Sequence, residues 1–312
     1  MLAEVILVGE PIVILSAQEL GEIPEVDMFK RSIAGAEINV AIGLTRLNHK
    51  VSYVTKLGGD SFGEYIKKFL NDQNIDTSYI TAYPEASTAF QLKGKTDDGD
   101  PEVVYFRKGS AASHLTKKDI EAISFDGVKH IHITGIPPAL SESCREAIYE
   151  LIKRGKEKGI FITFDPNLRP TIWESKEKMI SVINDIASKC DMILPGIGEG
   201  LILTGSDDPD EIADFYLNQG SQSVIIKVGA DGAFVKTKDE SYTVPGFKVE
   251  KVVDTVGAGD GFAVGVVSGI LEGLPLKDAV IRATAIGALQ VMVQGDNEGL
   301  PTHEKLDSYI NG

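Results

Sequence analysis

Short β-branched runs alternate along this chain with longer segments of helical spacing, and that alternation narrows the possible folds more than any other feature. Val5–Val8 opens the series, and further runs lie at 51–55, 130–134, 161–164, 192–194 and 224–227. Helical patterns such as 141–158 and 176–188 lie between them. A strand that is apolar at every position has to be covered on both faces. The expected fold class is therefore α/β: a central, mostly parallel sheet with helices on both faces. The 312 residues show no internal repeat, low-complexity tract or Pro/Ser-rich linker, so the expected organisation is one domain over 1–312. The acidic stretch 206–211 reads as a solvated loop and helix start.

One segment departs from the alternation. Residues 87–94 and 101–108 are strand-like and flank a polar stretch containing Asp98-Gly99, a turn signal, so they read as a β-hairpin set off from the main sheet. Its second strand puts Val103, Tyr105 and Arg107 on one face and Val104, Phe106 and Lys108 on the other. An apolar face on a projecting hairpin needs cover from the domain or from a second subunit.

The net charge of −15 sets 46 acidic against 31 basic residues, which disfavours a nucleic-acid binder, since that would need a basic surface. No stretch approaches the roughly 20 apolar residues that span a bilayer, and residues 1–9 are strand-like rather than a basic segment leading into an apolar one, so a cytoplasmic protein is expected. Cys144 and Cys190, the two cysteines, read as reduced thiols. His130 and His132 fall on one face of a strand; two ligands are too few for structural zinc, and a buried, satisfied pair is expected. Trp173 reads as a packing residue.

In open parallel sheets, ligands bind beyond the carboxyl ends of the strands. The segments just past the predicted strands are Gly9-Glu10, Lys56 to Asp60, Thr134-Gly135, Asp165 to Arg169, 195–199 and Lys227 to Gly229. Glycines and charges thus collect on one edge. Turns need glycines and capping residues anyway, but that need does not account for Arg169, Lys227 or the glycine pair 58–59.

The densest signal comes after a strand-like run at 249–253. There Asp254-Thr255-Val256-Gly257-Ala258-Gly259-Asp260-Gly261 precedes a long apolar helix expected over 262–271. A glycine-rich turn at a helix N-terminus offers free N–H groups and the positive end of the helix dipole to an anion. Asp260 adds a carboxylate able to accept a hydroxyl proton. Glycines 261, 265 and 269 leave one stripe of the helix bare for tight packing. A Walker loop is excluded, because the motif contains no Gly-Lys-Ser/Thr. Phosphate binding, a dinucleotide fingerprint and a plain capped helix all remain open on this motif alone.

The stretch 254–262 resembles the C-terminal signature of the ribokinase-like (pfkB-type) carbohydrate kinases. Residues 34–41, 58–63 and 227–232 match further motifs of that family in the same order. Within it, Gly9-Glu10, 105–111, 165–169 and Gly295-Asp296 look most like the 2-keto-3-deoxygluconate kinases. The resemblance implies ATP and Mg2+ as cofactors, with room for a monovalent cation, and phosphoryl transfer to a terminal hydroxyl with Asp260 as base and Gly257, Ala258 and Gly259 as anion hole. It implies that Gly35, Asn39, Tyr105, Arg107, Arg169 and Asp296 touch the sugar acid. Lys227, Gly229, Gly232, Gly257 and Gly259 would lie near ATP, and one edge of a helix over 278–293 would line the adenine. A small β lid contributed by about 11–34 and 86–110 would cover the sugar and join two subunits in a homodimer or higher oligomer. An Asn-x-x-Glu motif of many relatives reads Gly196 to Glu199 here, leaving Glu199 as an indirect metal contact. Near 91, where the family suggests an aromatic hydroxyl, stands Phe90-Gln91.

The residues themselves favour an acid substrate, because arginine forks match carboxylates and a neutral sugar has no need of both Arg107 and Arg169. A kinase of fructose or ribose, a nicotinamide-binding oxidoreductase and a non-catalytic sugar-binding relic stand as alternatives.

Overall fold

The computed structural model describes residues 2–97 and 101–312. The strands are β1 (Val5–Val8), β2 (Ile12–Ala17), β3 (Phe29–Ala34), β4 (Val51–Leu57), β5 (Ile80–Ala82), β6 (Phe90–Lys93), β7 (Val103–Phe106), β8 (His130–Thr134), β9 (Phe161–Asp165), β10 (Met192–Ile193), β11 (Ser223–Lys227), β12 (Ala233–Thr237) and β13 (Ser241–Val244). The helices are α1 (Ala36–Arg46), α2 (Ser61–Asp72), α3 (Lys117–Glu121), α4 (Pro137–Leu140), α5 (Glu142–Glu157), α6 (Lys176–Ala187), α7 (Ile197–Thr204), α8 (Pro209–Asn218), α9 (Ala258–Leu271), α10 (Leu276–Val291) and α11 (His303–Asn311).

Among the described residues, nine strands form one sheet in the order β13-β12-β11-β10-β9-β8-β1-β4-β5. It is parallel from β5 to β11 and ends in the antiparallel pairs β11–β12 and β12–β13. Both faces are buried, as continuous apolar strands require. Val5 and Leu7 of β1 join the core beneath α1, α9 and α10, while Ile6 and Val8 join the core beneath α5 and α6. Trp173 is buried in the second core, with Arg145 lying 5.4 Å over its ring.

The second sheet has the order β3-β2-β6-β7. The expected hairpin is present as the antiparallel pair β6–β7, with Phe90 opposite Phe106. Its turn at Asp98-Gly99 lies outside the described residues. Phe106 stacks on Phe90 at 4.5 Å, and Phe90 in turn meets Phe62 of α2 at 5.5 Å, so the domain covers part of that face.

Two local expectations need correction, and three strands went unread. Residues 249–253 form no strand: Val252 and Val253 are about half exposed, and the Val253 N–H bonds the Val291 carbonyl at the end of α10 instead of a sheet edge. Helix α9 starts at Ala258, one turn earlier than expected, so Asp260 belongs to its first turn. Strands β5, β12 and β13 carry too little apolar periodicity to stand out; Ser241–Val244, for example, buries only Val244.

Candidate active site

A cleft of about 430 Å3 lies where the carboxyl ends of β1, β9 and β11 meet the N-termini of α1 and α9. This is the edge that collects the charges and glycines of the sequence. The small sheet forms its other wall, with Ile12, Ala34, Gln91, Lys93, Val103 and Tyr105 supplied by all four strands.

Asp260 is buried at the cleft floor, 8 % exposed. Its carboxylate accepts a 2.7 Å hydrogen bond from Asn39 Nδ2 and a longer one, 3.4 Å, from Asn167 Nδ2. Burial pushes this carboxyl up to about 6; the Asn39 bond opposes the rise, Asp165 adds to it, and Arg169 and Lys227 draw it back. A carboxylate with its proton affinity tuned upward in this way is the kind of group that could serve as a general base. Gly257 caps α9 in the left-handed region, φ 77°, and a Cβ there would sit 2.1 Å from the Asp296 carbonyl oxygen. Both facts demand glycine. The first N–H groups of a helix lack intrahelical acceptors, and a Cβ on Gly259 would meet only Lys227 Nζ, at 3.7 Å. The α9 N-terminus is therefore an open anion cradle with a cation beside it.

Lys227 Nζ pairs with the buried Asp165 at 2.9 Å. Burial draws its ammonium down, but Asp165, Glu199 and Asp260 outweigh that and hold it charged. Arg107 pairs with Glu10 by Nε at 2.8 Å and Nη2 at 2.5 Å, and Ser110 Oγ donates to the other Glu10 oxygen. Glu10 is 1 % exposed; burial raises its pKa against the pull of Arg107 and Ser110. Arg169 differs: it makes no ion pair among the described residues, and its Nη1 donates only to the neighbouring Leu168 carbonyl. Glu199 spends both oxygens on backbone, accepting from Leu168 N and Gly196 N at 2.8 Å each. It thus fastens the 166–169 loop to the start of α7. The described residues include no group of three or more His, Cys, Asp or Glu able to hold a metal alone. A hard cation that keeps its waters and arrives on phosphate oxygens suits such a site.

Of the residues expected here, Gly35, Asn39, Tyr105, Arg107, Arg169, Glu199, Lys227, Gly257, Gly259, Asp260 and Asp296 all line the cleft. Ala258, Gly229 and Gly232 do not; Gly232 is a packing position, where a Cβ would strike the Val244 carbonyl at 2.1 Å. The buried histidines are only half satisfied: His130 Nε2 and His132 Nδ1 share the Thr163 hydroxyl, and the other ring nitrogens have no partner. Sequence reasoning missed Lys93, Asn167, Glu37 and Gln290. Lys93 was legible through its two-residue spacing from Gln91 on β6. Gln290 was not: it sits mid-helix, yet its amide bonds the carbonyls of Val256 and Gly295 and thereby pins the loops on either side of Gly257.

The chain matches the profile of the pfkB family carbohydrate kinases over residues 2–303. It is 46% identical to the 2-dehydro-3-deoxygluconokinase of Bacillus subtilis strain 168, across 100% of this chain and 96% of that one. The chain belongs to the pfkB family of carbohydrate kinases. The fold agrees. A PfkB protein from Polaromonas sp. JS666 superposes with a TM-score of 0.91 at 42% identity, covering 98% of this chain and 99% of that one. A putative ribokinase II from E. coli, solved in complex with ATP and Mg2+, gives 0.89 at 25% identity, covering 99% of each chain. With the family shown, the nicotinamide-oxidoreductase and binding-relic alternatives are not favoured. Among the described residues no helix is long and apolar enough to cross a membrane.

The Glu10–Arg107 pair makes a test of how the cleft wall is held. Arg107→Met strands a buried carboxylate and should cost roughly 3–5 kcal/mol at pH 8. Glu10 has a raised folded pKa, so protonating it relieves the loss: the stability gap to wild type should shrink as pH falls and widen as pH rises. Urea denaturation at several pH values checks both the size and the sign.

Proposed function

We propose that this kinase phosphorylates 2-dehydro-3-deoxygluconate (2-keto-3-deoxygluconate), using MgATP and the terminal hydroxyl of the sugar acid. The observation that carries the reading is the pairing, in one cleft, of a buried carboxylate at a helix N-terminus, Asp260, with an arginine left without an ion pair, Arg169. A keto-deoxy sugar acid has a hydroxyl for the first and a carboxylate for the second, at opposite ends of a six-carbon chain. The 46% identity to a 2-dehydro-3-deoxygluconokinase supports the same substrate.

Bound MgATP supplies the γ-phosphoryl group. Asp260 takes the acceptor hydroxyl's proton as that oxygen bonds to phosphorus and the bond to the ADP oxygen breaks. The N–H groups at the 257–260 turn and Lys227 face the charge that gathers on the transferring group. Half-exposed Val252, Val253 and Val256, beside that turn, offer an apolar platform for the purine. Arg169 supplies the carboxylate grip. Arg107, already matched by Glu10, contributes the remaining donors of its fork to hydroxyls rather than an unspent charge. Gly35 and Tyr105 shape the sugar wall, and Lys93 stands near enough to Asp296 to lower its raised pKa.

The small sheet acts as a lid on the sugar and as the contact to a second copy. Support comes from exposed Tyr105, Phe106, Leu20 and Met28 on and around its strands. Light scattering at micromolar concentration should give a dimer or higher oligomer; a monomer there would remove the lid contact.

Steady-state kinetics by ADP release test the rest. Asp260→Asn should still bind ATP while losing about 10²–10⁴-fold in kcat; retention of half the wild-type kcat would remove Asp260 as base. Arg169→Ala should raise KM for 2-keto-3-deoxygluconate roughly 10- to 150-fold, the worth of one charged hydrogen-bond partner. The KM for a neutral sugar, which never used the contact, should barely move. Wild type turning over fructose or ribose faster than the sugar acid would reject the carboxylate assignment and leave a kinase of neutral sugars.

A further inference from the structure

Behind Asp260 lies a pair of buried amides, one of them outside the cleft lining. Asn297, in the loop between α10 and α11, is 7 % exposed, and Asn39 on α1 is 2 % exposed. Asn297 Nδ2 lies 3.3 Å from the Ile33 carbonyl oxygen and 3.2 Å from Asn39 Oδ1. Asn39 Nδ2 then lies 2.7 Å from Asp260 Oδ2.

The orientation of these amides is dictated by chemistry. A backbone carbonyl can only accept, so the end of Asn297 that faces Ile33 has to be its NH2 group. The same NH2 group faces Asn39, so Asn39 has to present its oxygen there. Its own NH2 group is thereby turned to Asp260, which as a carboxylate can only accept. Reversing either amide would set oxygen against oxygen at a buried site. The loop bearing Asn297 is fixed by α1 itself: Arg46 Nη1 donates to the carbonyls of Asn297, at 2.7 Å, and Leu300, at 2.9 Å.

We propose that Asn297 is a positioning residue for the phosphoryl transfer, locking the Asn39 carboxamide so that its NH2 group orients and holds Asp260. The proposal rests on Asp260 being the base. Because Ile33 lies on β3, one residue before the strand's end and two before Gly35 of the cleft, Asn297 also ties the base to the small sheet's point of attachment. Other charged groups act on Asp260 too: Asp165 at the end of β9, Arg169 beyond it, Lys227 of β11, Glu37 of α1, and Asp296 next to Asn297. The test therefore has to separate the amide relay from charge.

Asn297→Ala removes the donor without adding charge, and Asn297→Asp keeps the shape but replaces the NH2 group with an acceptor, inviting Asn39 to reverse. Both are read by the acidic limb of kcat/KM against pH and by the carbon-13 titration of the Asp260 carboxyl. The Asn39 bond favours the ionised carboxylate, so weakening it should raise the Asp260 pKa. We expect a rise of about one unit in Asn297→Ala, a tenfold change in proton affinity, and a larger one in Asn297→Asp. KM for ATP should stay near wild type. In an Asn39→Ala background, Asn297→Ala should add nothing, whereas a purely electrostatic effect of Asn297→Asp would persist there. The inference is overturned if the Asp260 titration in both single variants stays within about 0.2 unit of wild type, or if Asn297→Ala shifts it equally with and without Asn39. Asp260→Asn run alongside separates the two readings. If that variant keeps its turnover while Asn297→Ala still moves the carboxyl titration, the relay stands and the base assignment falls.

Discussion

Close backbone approach by α9 is the constraint on which the site depends. A Cβ on Gly265 would lie 2.3 Å from Ala283 Cα, one on Gly269 2.5 Å from Ala279 Cβ, and one on Gly43 of α1 2.5 Å from Val264. The helix is thus sunk against α10 on one side and α1 on another, at distances that only missing side chains permit. Such packing is costly to distort, since interiors resist even one added methylene. Its consequence is at the far end: with the body of α9 fixed, its N-terminus and Asp260 are held at the sheet's carboxyl edge. Gly257 completes the arrangement by letting the Asp296 carbonyl lie against the first turn.

Electrostatics at the cleft differ from those of the chain as a whole. The sequence carries a net charge of −15, yet the cleft is lined by five carboxylates, Glu10, Asp165, Glu199, Asp260 and Asp296, and four cations, Lys93, Arg107, Arg169 and Lys227. Two of the cations are matched at contact distance, Arg107 by Glu10 and Lys227 by Asp165. Those pairs act as fixed walls. For an anionic ligand there remain the Arg169 guanidinium, the Lys93 ammonium and the dipole of α9, with the Lys227 ammonium beside that helix end. An acidic protein can bind anions in this way because binding depends on the few groups that converge, while the distant surface charge is screened by salt.

Much of this was legible in the sequence, and the reasons differ by residue. The parallel sheet could be read because strands buried on both faces leave continuous apolar runs. The Gly257–Asp260 turn stood out as glycine-rich at a helix start, but on that motif alone an anion site and a plain capped helix fitted equally, and only the ordered family motifs favoured the first. Arg169 could be read from its place after a strand. Its distinction from Arg107 could not, because the two look alike until Glu10 is found 2.5 Å from one of them. Gln290 and Asn297 were illegible for a related reason: an amide's task depends on which backbone atoms surround it, and those come from segments far apart in the chain. The run at 249–253 misled because valine-rich composition serves an exposed apolar surface as well as a strand.

The same burial that hides these contacts sets the chemistry. Asp260 with its carboxyl raised to about 6, and Glu37 and Asp296 each raised to about 7, are held near one another away from water. Each ionised carboxylate makes the next harder to ionise. At Asp260 the rise is opposed by its donor Asn39 at 2.7 Å and by the cations Arg169 and Lys227. At Glu37 the rise is opposed by the Thr134 hydroxyl and by its own backbone N–H. Hydrogen-bond supply therefore differs among the three acids even though burial raises each of them. The shorter of the two amide contacts to Asp260 comes from α1, through Asn39.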